Sequence, residues 1–403
     1  MTPLSLYIHI PFCARKCNYC DFVSFGGASK NLVHYINALC TEIKAAAVGK
    51  EYIIQTIYIG GGTPSILPVA HLRKLFAALK RKFNISPNAE ITIEVNPNSA
   101  TPQKLAAYKT LGINRLSIGV QSFDDATLKI LGRPHTAAHA ISTIKEARAC
   151  GFQNISIDLI HSTPHTACHC AQGSFSPSSR AHSTSFRLCE ECKRRSNPES
   201  VDHQLTDILQ YLTHVSLYSL IIEPNTLLFE QTARKELIVP TETESLREQI
   251  RLETILKSGG FTKYEVSNFA RSKQFQCRHN KVYWQGGEYL GFGLAAHSLF
   301  ENNRFSNTEN LDEYLRNPII SQSLKTPRTN ADEINETIML GLRLTGGVPI
   351  DALTNLGYDI LTERKTEIAD FINLKLLKSP RKTIAATAKG FNVLNKIIEA
   401  LTL

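Results

Sequence analysis

From Leu4 to Ile222 the chain repeats one unit, a short β-rich apolar run, a turn and an amphipathic stretch, and this repeat admits few folds. Strands that alternate with helical segments pair in parallel, because each helix-length crossover starts the next strand in the same direction. The apolar runs predict strands at Leu4–Ile10, Thr56–Ile59, Ile91–Val95, Arg115–Val120, Ile155–Ile160 and Val215–Ile222. Helical spacing falls between them, as in Leu32, Ile36, Leu39, Ile43 and in Leu72, Leu75, Leu79, and Thr101-Pro102 opens a third helix. The expectation is an α/β chain in which residues 1–230 form a partial (β/α) barrel. A chain of 403 residues exceeds one core. Residues 231–325 read as a connecting region, with short strands and turns from Phe261 to Phe300. Apolar residues return to helical spacing at Ile334, Ile338 and Leu342, so residues 326–403 are expected as a small helical C-terminal domain.

No stretch is long and apolar enough to cross a membrane, and the N-terminus lacks the basic and apolar regions of a signal peptide. The expected location is cytoplasmic, where thiols stay reduced, so the ten cysteines read as ligands or core residues rather than disulfides. The net charge of +9 would suit an acidic partner, yet no recognition helix or basic-aromatic strand pattern accompanies it. Nucleic acid is therefore not an expected partner.

In barrels of this kind chemistry gathers at the carboxyl ends of the strands. After the first strand stand Cys13, Cys17 and Cys20, and after the second Gly60-Gly61-Gly62-Thr63-Pro64. The third ends in Glu94-Val-Asn-Pro, the fourth in Gln121, and Asp158 lies late in the fifth. Three thiolates on a [4Fe-4S] cluster leave one iron open for chemistry. Structural zinc is the alternative, but it takes four ligands and Asp21-Phe22 supplies no fourth cysteine.

The Cys-x3-Cys-x2-Cys spacing, with Tyr19 before the last cysteine, resembles the signature of the radical S-adenosylmethionine (SAM) superfamily. That resemblance implies a TIM-like radical SAM barrel, in which the open iron chelates SAM and an electron from the cluster cleaves it to a 5′-deoxyadenosyl radical. Tyr7-Ile-His-Ile-Pro-Phe-Cys13, the glycine turn, Ile93-Glu94-Val-Asn-Pro97 and Leu116-Ser-Ile-Gly-Val-Gln121 narrow it further. Together they resemble the oxygen-independent coproporphyrinogen III oxidase family over nearly the whole chain. The resemblance implies that Tyr7, Gly61 and Glu94 contact cluster-bound SAM, and that Gly62, Thr63, Gln121, Arg133 and Asp158 line a second SAM site. Read without it, Arg133 is a solvated helix end, and Glu94 and Asp158 are buried partners of basic residues.

That family holds true oxidases and HemW-type heme chaperones. The oxidases look like Cys-x3-Cys-x2-Cys-x-Cys and carry an N-terminal extension, whereas this chain has Phe22 at the fourth position and begins at the barrel. The run His279-Asn-Lys-Val-Tyr-Trp284 resembles the chaperones' HNxxYW motif, which implies His279 as an axial heme ligand, with Tyr283 and Trp284 packed on the porphyrin. Without that resemblance the run reads as a hairpin with core aromatics. His297 matches a family position near SAM. The implied partners are heme and heme-accepting respiratory proteins, met at the membrane surface. The competing readings are an oxygen-independent coproporphyrinogen III oxidase or other tetrapyrrole-directed radical SAM enzyme, and an inactive scaffold.

Residues 161–197 fit none of this. They are rich in Ser, His, Cys and Arg with little apolar periodicity, which reads as a disordered insertion. Cys168, Cys170, Cys189 and Cys192 within it have a spacing compatible with a zinc loop.

Overall fold

Alternation along each strand decides what this sheet can face. A computed structural model gives the fold and describes residues 1–27, 31–166, 198–319 and 325–403. Six parallel strands form in sequence order: β1 (Thr2–Ile10), β2 (Tyr52–Gly61), β3 (Asn84–Val95), β4 (Arg115–Gln121), β5 (Asn154–His161) and β6 (His214–Ser219). Each contains its predicted strand, except that β6 stops at Ser219, ahead of the expected Ile222.

Leu6, Ile8, Ile57, Ile59, Ile93, Leu116, Ile118, Ile155, Ile157 and Val215 are all buried on one face. Helices α1 (Leu32–Ala45), α2 (Val69–Lys82), α3 (Pro102–Leu111), α4 (Ala137–Ala149) and α5 (Pro198–Leu209) supply the crossovers. Their residues Ile36, Leu39, Leu72, Leu75, Leu105, Ile144 and Leu205 join the same apolar cluster. Each such side chain contributes about 1.5–3 kcal/mol by leaving water. The residues in between are polar and equally buried: Ser5, Thr56, Glu90, Thr92, Arg115, Ser117, Ser156, His214 and Ser216. They make the inner face of the partial barrel.

Residues 231–325 were expected as a connecting region, but they extend this sheet at both ends. Strands β7 (Thr262–Lys263) and β8 (Asn268–Ala270) add antiparallel beside β6, after helix α6 (Glu242–Ser258). Strand β9 (Tyr289–Phe292) pairs parallel with β1, and β10 (His297–Phe300), β11 (Asn303–Ser306) and β12 (Thr326–Pro327) follow antiparallel. The sheet order is β7-β8-β6-β5-β4-β3-β2-β1-β9-β10-β11-β12. The run around His279 is not a hairpin. It is helix α7 (Arg278–Trp284), because Glu90 on β3 accepts the first free backbone N–H groups, those of Arg278 and His279, both at 3.1 Å.

A second apolar cluster holds Ile334, Ile338, Leu342, Leu353, Ile368, Ile397 and Leu401. Helix α8 (Asn330–Gly341) opens it with a capping box between Thr329 and Asp332. The cluster is tied to the barrel where the N–H of Thr345 donates to Tyr264 O at 3.0 Å. Of the anomalous stretch at 161–197, residues 167–197 lie outside the described residues, and with them Cys168, Cys170, Cys189 and Cys192. Its start is ordinary: His161 closes β5, and His165–Thr166 pairs with Leu237–Ile238.

Replacing Glu90 with Ala removes the acceptor of two buried N–H groups and a carboxylate that favours the charge of Arg115. The expected loss is roughly 2–4 kcal/mol of unfolding free energy, measured by urea titration. A loss under about 0.5 kcal/mol, ordinary for an unimportant surface site, would show that α7 is held by other contacts.

Candidate functional site

The carboxyl ends of the parallel strands open into a cleft of about 500 Å³. Every second residue of β4 reaches it, Arg115, Ser117, Gly119 and Gln121, as the two-residue period of a strand requires. Of the residues singled out in the sequence, Cys13, Cys17, Cys20, Gly61, Gly62, Thr63, Glu94, Gln121, Arg133 and Asp158 all line it. A register shift between Gly119 and Gln121 ends β4, and Gln121 sits at φ 66°. Such bulges re-aim a side chain at a strand end.

The glycine turn makes room for its neighbours. A Cβ on Gly60 would stand 3.0 Å from the Glu94 carboxylate, and one on Gly62 would stand 3.0 Å from Cys13 Sγ and 2.8 Å from Phe12 O. The N–H of Gly61 donates to Glu94 Oε2 at 3.1 Å, and Tyr58 donates its hydroxyl to Oε1 at 2.9 Å. Thr63 Oγ1 donates to Cys13 Sγ at 3.4 Å, and Arg133 Nη1 to Cys17 Sγ at 3.3 Å. Its other terminal nitrogen, Nη2, donates to Gly119 O at 2.7 Å, so Arg133 is no solvated helix end.

Donors aimed at two of three free thiols suit thiolate ligands. Burial pushes the Cys13 and Cys20 thiols up, and the neighbouring cysteines add to it, as mutual repulsion of thiolates should before a metal neutralises them. Among the described residues no three acidic, Cys or His side chains converge on a point for one metal ion. A cubane asks for something else, one thiolate for each of three irons. The donor set fits that group.

Burial, and after it the charge of Asp158, pushes the Glu94 carboxyl up to about 7, against the pull of its bonds from Tyr58 and Gly61. Burial also raises Asp158, while Ser216, Arg115 and Ser117 draw it back. The cleft thus holds two carboxyls that resist ionising together unless a cation or a donor enters.

Three expected site residues are placed elsewhere. His279 is 1% exposed and does not line the cleft. Its Nδ1 lies 2.7 Å from Thr56 Oγ1 and its Nε2 2.8 Å from the Tyr283 hydroxyl. Thr56 already donates to Ser5 Oγ at 2.8 Å, so it accepts the proton of Nδ1, and Nε2 accepts that of Tyr283. Burial, and then Arg115, pushes this imidazole down to about 3, so it is neutral. Neither nitrogen keeps a lone pair open to heme iron. Tyr7 bonds His9 Nδ1 at 2.9 Å and stacks behind Tyr58, with ring centroids 6.3 Å apart. His297 is exposed at the start of β10, where it pairs with Ser306 away from the cleft lining.

Conversely, Tyr58, Arg115, Ser117, Ser216, Tyr218 and Asn280 line the cleft and were not singled out. All but Asn280 lie on alternate, inward-facing positions of β2, β4 and β6, a period of two that the sequence carries.

With its carboxyl raised above the ordinary 4.5, Glu94 favours the folded state in its protonated form. It therefore weakens folding progressively as pH rises from 4.5 to about 7. In metal-free protein, Glu94→Gln should gain stability over the parent across that window, with an upper limit of about 3 kcal/mol. Thermal unfolding at a series of pH values reads it, and a difference that stays flat with pH would refute the burial argument.

Comparison with known proteins agrees with this geometry. The radical SAM superfamily matches residues 7–166, and the HemN C-terminal domain matches residues 329–393. The heme chaperone HemW of Lactococcus lactis is 31% identical over 100% of this chain and 98% of its own length. That of Bacillus subtilis is 33% identical over 85% of this chain and 84% of its own. The coproporphyrinogen III oxidase HemN of Escherichia coli, a radical SAM enzyme, superposes with a TM-score of 0.79 at 23% identity over 100% of this chain and 90% of that one, which shows a shared fold. With relatives of that identity and coverage, the chain belongs to the HemW-type heme chaperones of the oxygen-independent coproporphyrinogen III oxidase family, within the radical SAM superfamily.

Proposed function

We propose that this chain binds heme and hands it to respiratory acceptor proteins, with a [4Fe-4S] cluster on Cys13, Cys17 and Cys20 and exchangeable SAM in the cleft. The observation that carries the reading is the match to HemW from end to end, 100% of this chain against 98% of the Lactococcus lactis protein. Membership of the radical SAM superfamily implies the cluster and SAM. When bound, they supply an open iron and an electron that can cleave a carbon–sulfur bond. The protein's own part is to hold and orient. Gly61 and Glu94 would receive the cluster-bound SAM, with Tyr7 as backing for Tyr58, and Gly62, Thr63, Gln121, Arg133 and Asp158 would line a second position.

With both nitrogens of His279 occupied, the heme is better placed at the mouth of the cleft. Phe22 and Ile221 line that mouth and are 62% and 68% exposed. A flat apolar macrocycle would cover both, and Arg15, also at the mouth, would meet a propionate. Phe22 stands where the oxidases resemble a fourth cysteine, so the residue that separates the two branches is also the one that offers heme an apolar face. The enzymatic reading draws on one specific observation, the full set of acidic, glycine and arginine residues in the cleft. It requires SAM-dependent decarboxylation of coproporphyrinogen with release of 5′-deoxyadenosine.

Titration of heme into anaerobically reconstituted protein, followed in the Soret band, should show one-to-one binding that weakens roughly tenfold or more in Phe22→Asp/Ile221→Asp. No binding to the parent protein would overturn the chaperone reading, and unchanged binding in the double variant would move the heme away from the mouth. Cys17→Ala should lose iron and the cluster absorption band on reconstitution. Full retention of both would remove the cluster from these cysteines.

A further inference from the structure

Helix α7 carries the motif that resembles a heme-ligand signature, yet its histidine is turned into the barrel. His279 stacks on Tyr58 with ring centroids 5.2 Å apart and planes 26° apart. Tyr58 in turn donates its hydroxyl to Glu94, which also accepts from the N–H of Gly61. The histidine therefore backs the ring that aims the carboxylate at the cleft. Tyr283 packs edge-on against His279 at 5.0 Å and against Tyr289 at 4.6 Å, so the imidazole is held between two aromatic rings. Trp284 faces the other way, with the guanidinium of Arg343 from the C-terminal domain 5.7 Å from its ring. Asn280 alone of the motif reaches the cleft lining, which it shares with Tyr58 and Arg115. It is half-buried and brings two donors and an acceptor to the cleft.

We propose that α7 is the floor of the SAM cleft: Asn280 contacts a polar group of the bound SAM, and His279 is a positioning residue that sets the Glu94 carboxylate through Tyr58. The proposal rests on the reading that SAM occupies the cleft. It gives the HNxxYW motif a task that needs no iron. A buried neutral histidine bonded at both nitrogens is a rigid spacer, and a spacer between strand β2 and Tyr283 holds Tyr58 at one angle. The spacing of the motif follows from the geometry. Positions 279 and 283 are one helical turn apart and share the face against Tyr58 and Tyr289, whereas 280 is turned about 100° from 279 toward the cleft.

The test is equilibrium dialysis of labelled SAM against anaerobically reconstituted protein, with a heme titration and thermal unfolding run on each variant. Asn280→Ala truncates one half-buried side chain, and should weaken SAM binding about tenfold while the unfolding temperature stays as in the parent. His279→Ala should weaken SAM binding by at least as much. His279→Phe, which restores a ring against Tyr58 but offers iron no lone pair, should recover most of that loss. SAM affinities equal to the parent in Asn280→Ala and His279→Ala would overturn the proposal, as would loss of heme in His279→Ala and His279→Phe alike with SAM binding intact. If the parent itself binds no SAM, it is the underlying reading of the cleft that fails. Should His279→Ala not fold, Asn280→Ala and Tyr58→Phe decide the matter, since Tyr58→Phe deletes only the hydroxyl that holds Glu94.

Discussion

The inner face of the parallel sheet is polar, and polar groups buried without partners cost more than almost any other feature of a core. Most of the inward-facing residues of the six strands put an oxygen, a nitrogen or a charge into the barrel: Ser5, Thr56, Glu90, Arg115, Ser117, Asp158, His214 and Ser216. Two answers divide that face between them. At the base it is closed by protein. Helix α7 gives its N–H groups to Glu90 and its histidine to Thr56, and Tyr264 closes a matching bridge through His214 to Ser156, at 2.8 and 2.7 Å. At the carboxyl ends it is left open, and the polar groups there line a cleft.

The same division explains the electrostatics. Histidines at the base are held neutral by burial, His279 pushed down to about 3 and His214 well below its usual range. Acids at the cleft are pushed the other way, with Glu94 at about 7. Both shifts express one cost, that of charge in a dry interior. They differ in consequence. A neutral histidine already has its two partners, whereas a carboxyl raised by a second carboxyl gains when a cationic or hydrogen-bonding ligand arrives.

The candidate cleft was legible in the sequence where its lining sits at a strand end. Three cysteines seven residues apart from first to last, a glycine turn and the residues Glu94, Gln121 and Asp158 each follow an apolar run, and a parallel sheet brings strand ends together whatever else the chain does. His279, Tyr7 and His297 lie outside the cleft lining, because a motif carries residue types but not the burial and packing that decide what a side chain faces. Residues 231–325 have strands too short to show a period, so nothing local revealed that they pair at both edges of the barrel sheet.

Period and spacing along the chain determined the parallel order of β1 to β6, the apolar outer face, the small helical domain from Ile334 onward and the cysteine loop, because these depend on neighbours in sequence. Tertiary structure alone decided that β9 joins β1, that Glu90 on β3 caps a helix begun at Arg278, and that Tyr58, Ser216 and Asn280 share one cleft with Cys13. Those relations join residues distant in sequence, Ser5 with Tyr289 and Glu90 with Arg278, the latter pair 188 positions apart. Only closure of the sheet, driven by burial of its outer face, brings such partners within the few ångströms over which a hydrogen bond or a stacked ring acts.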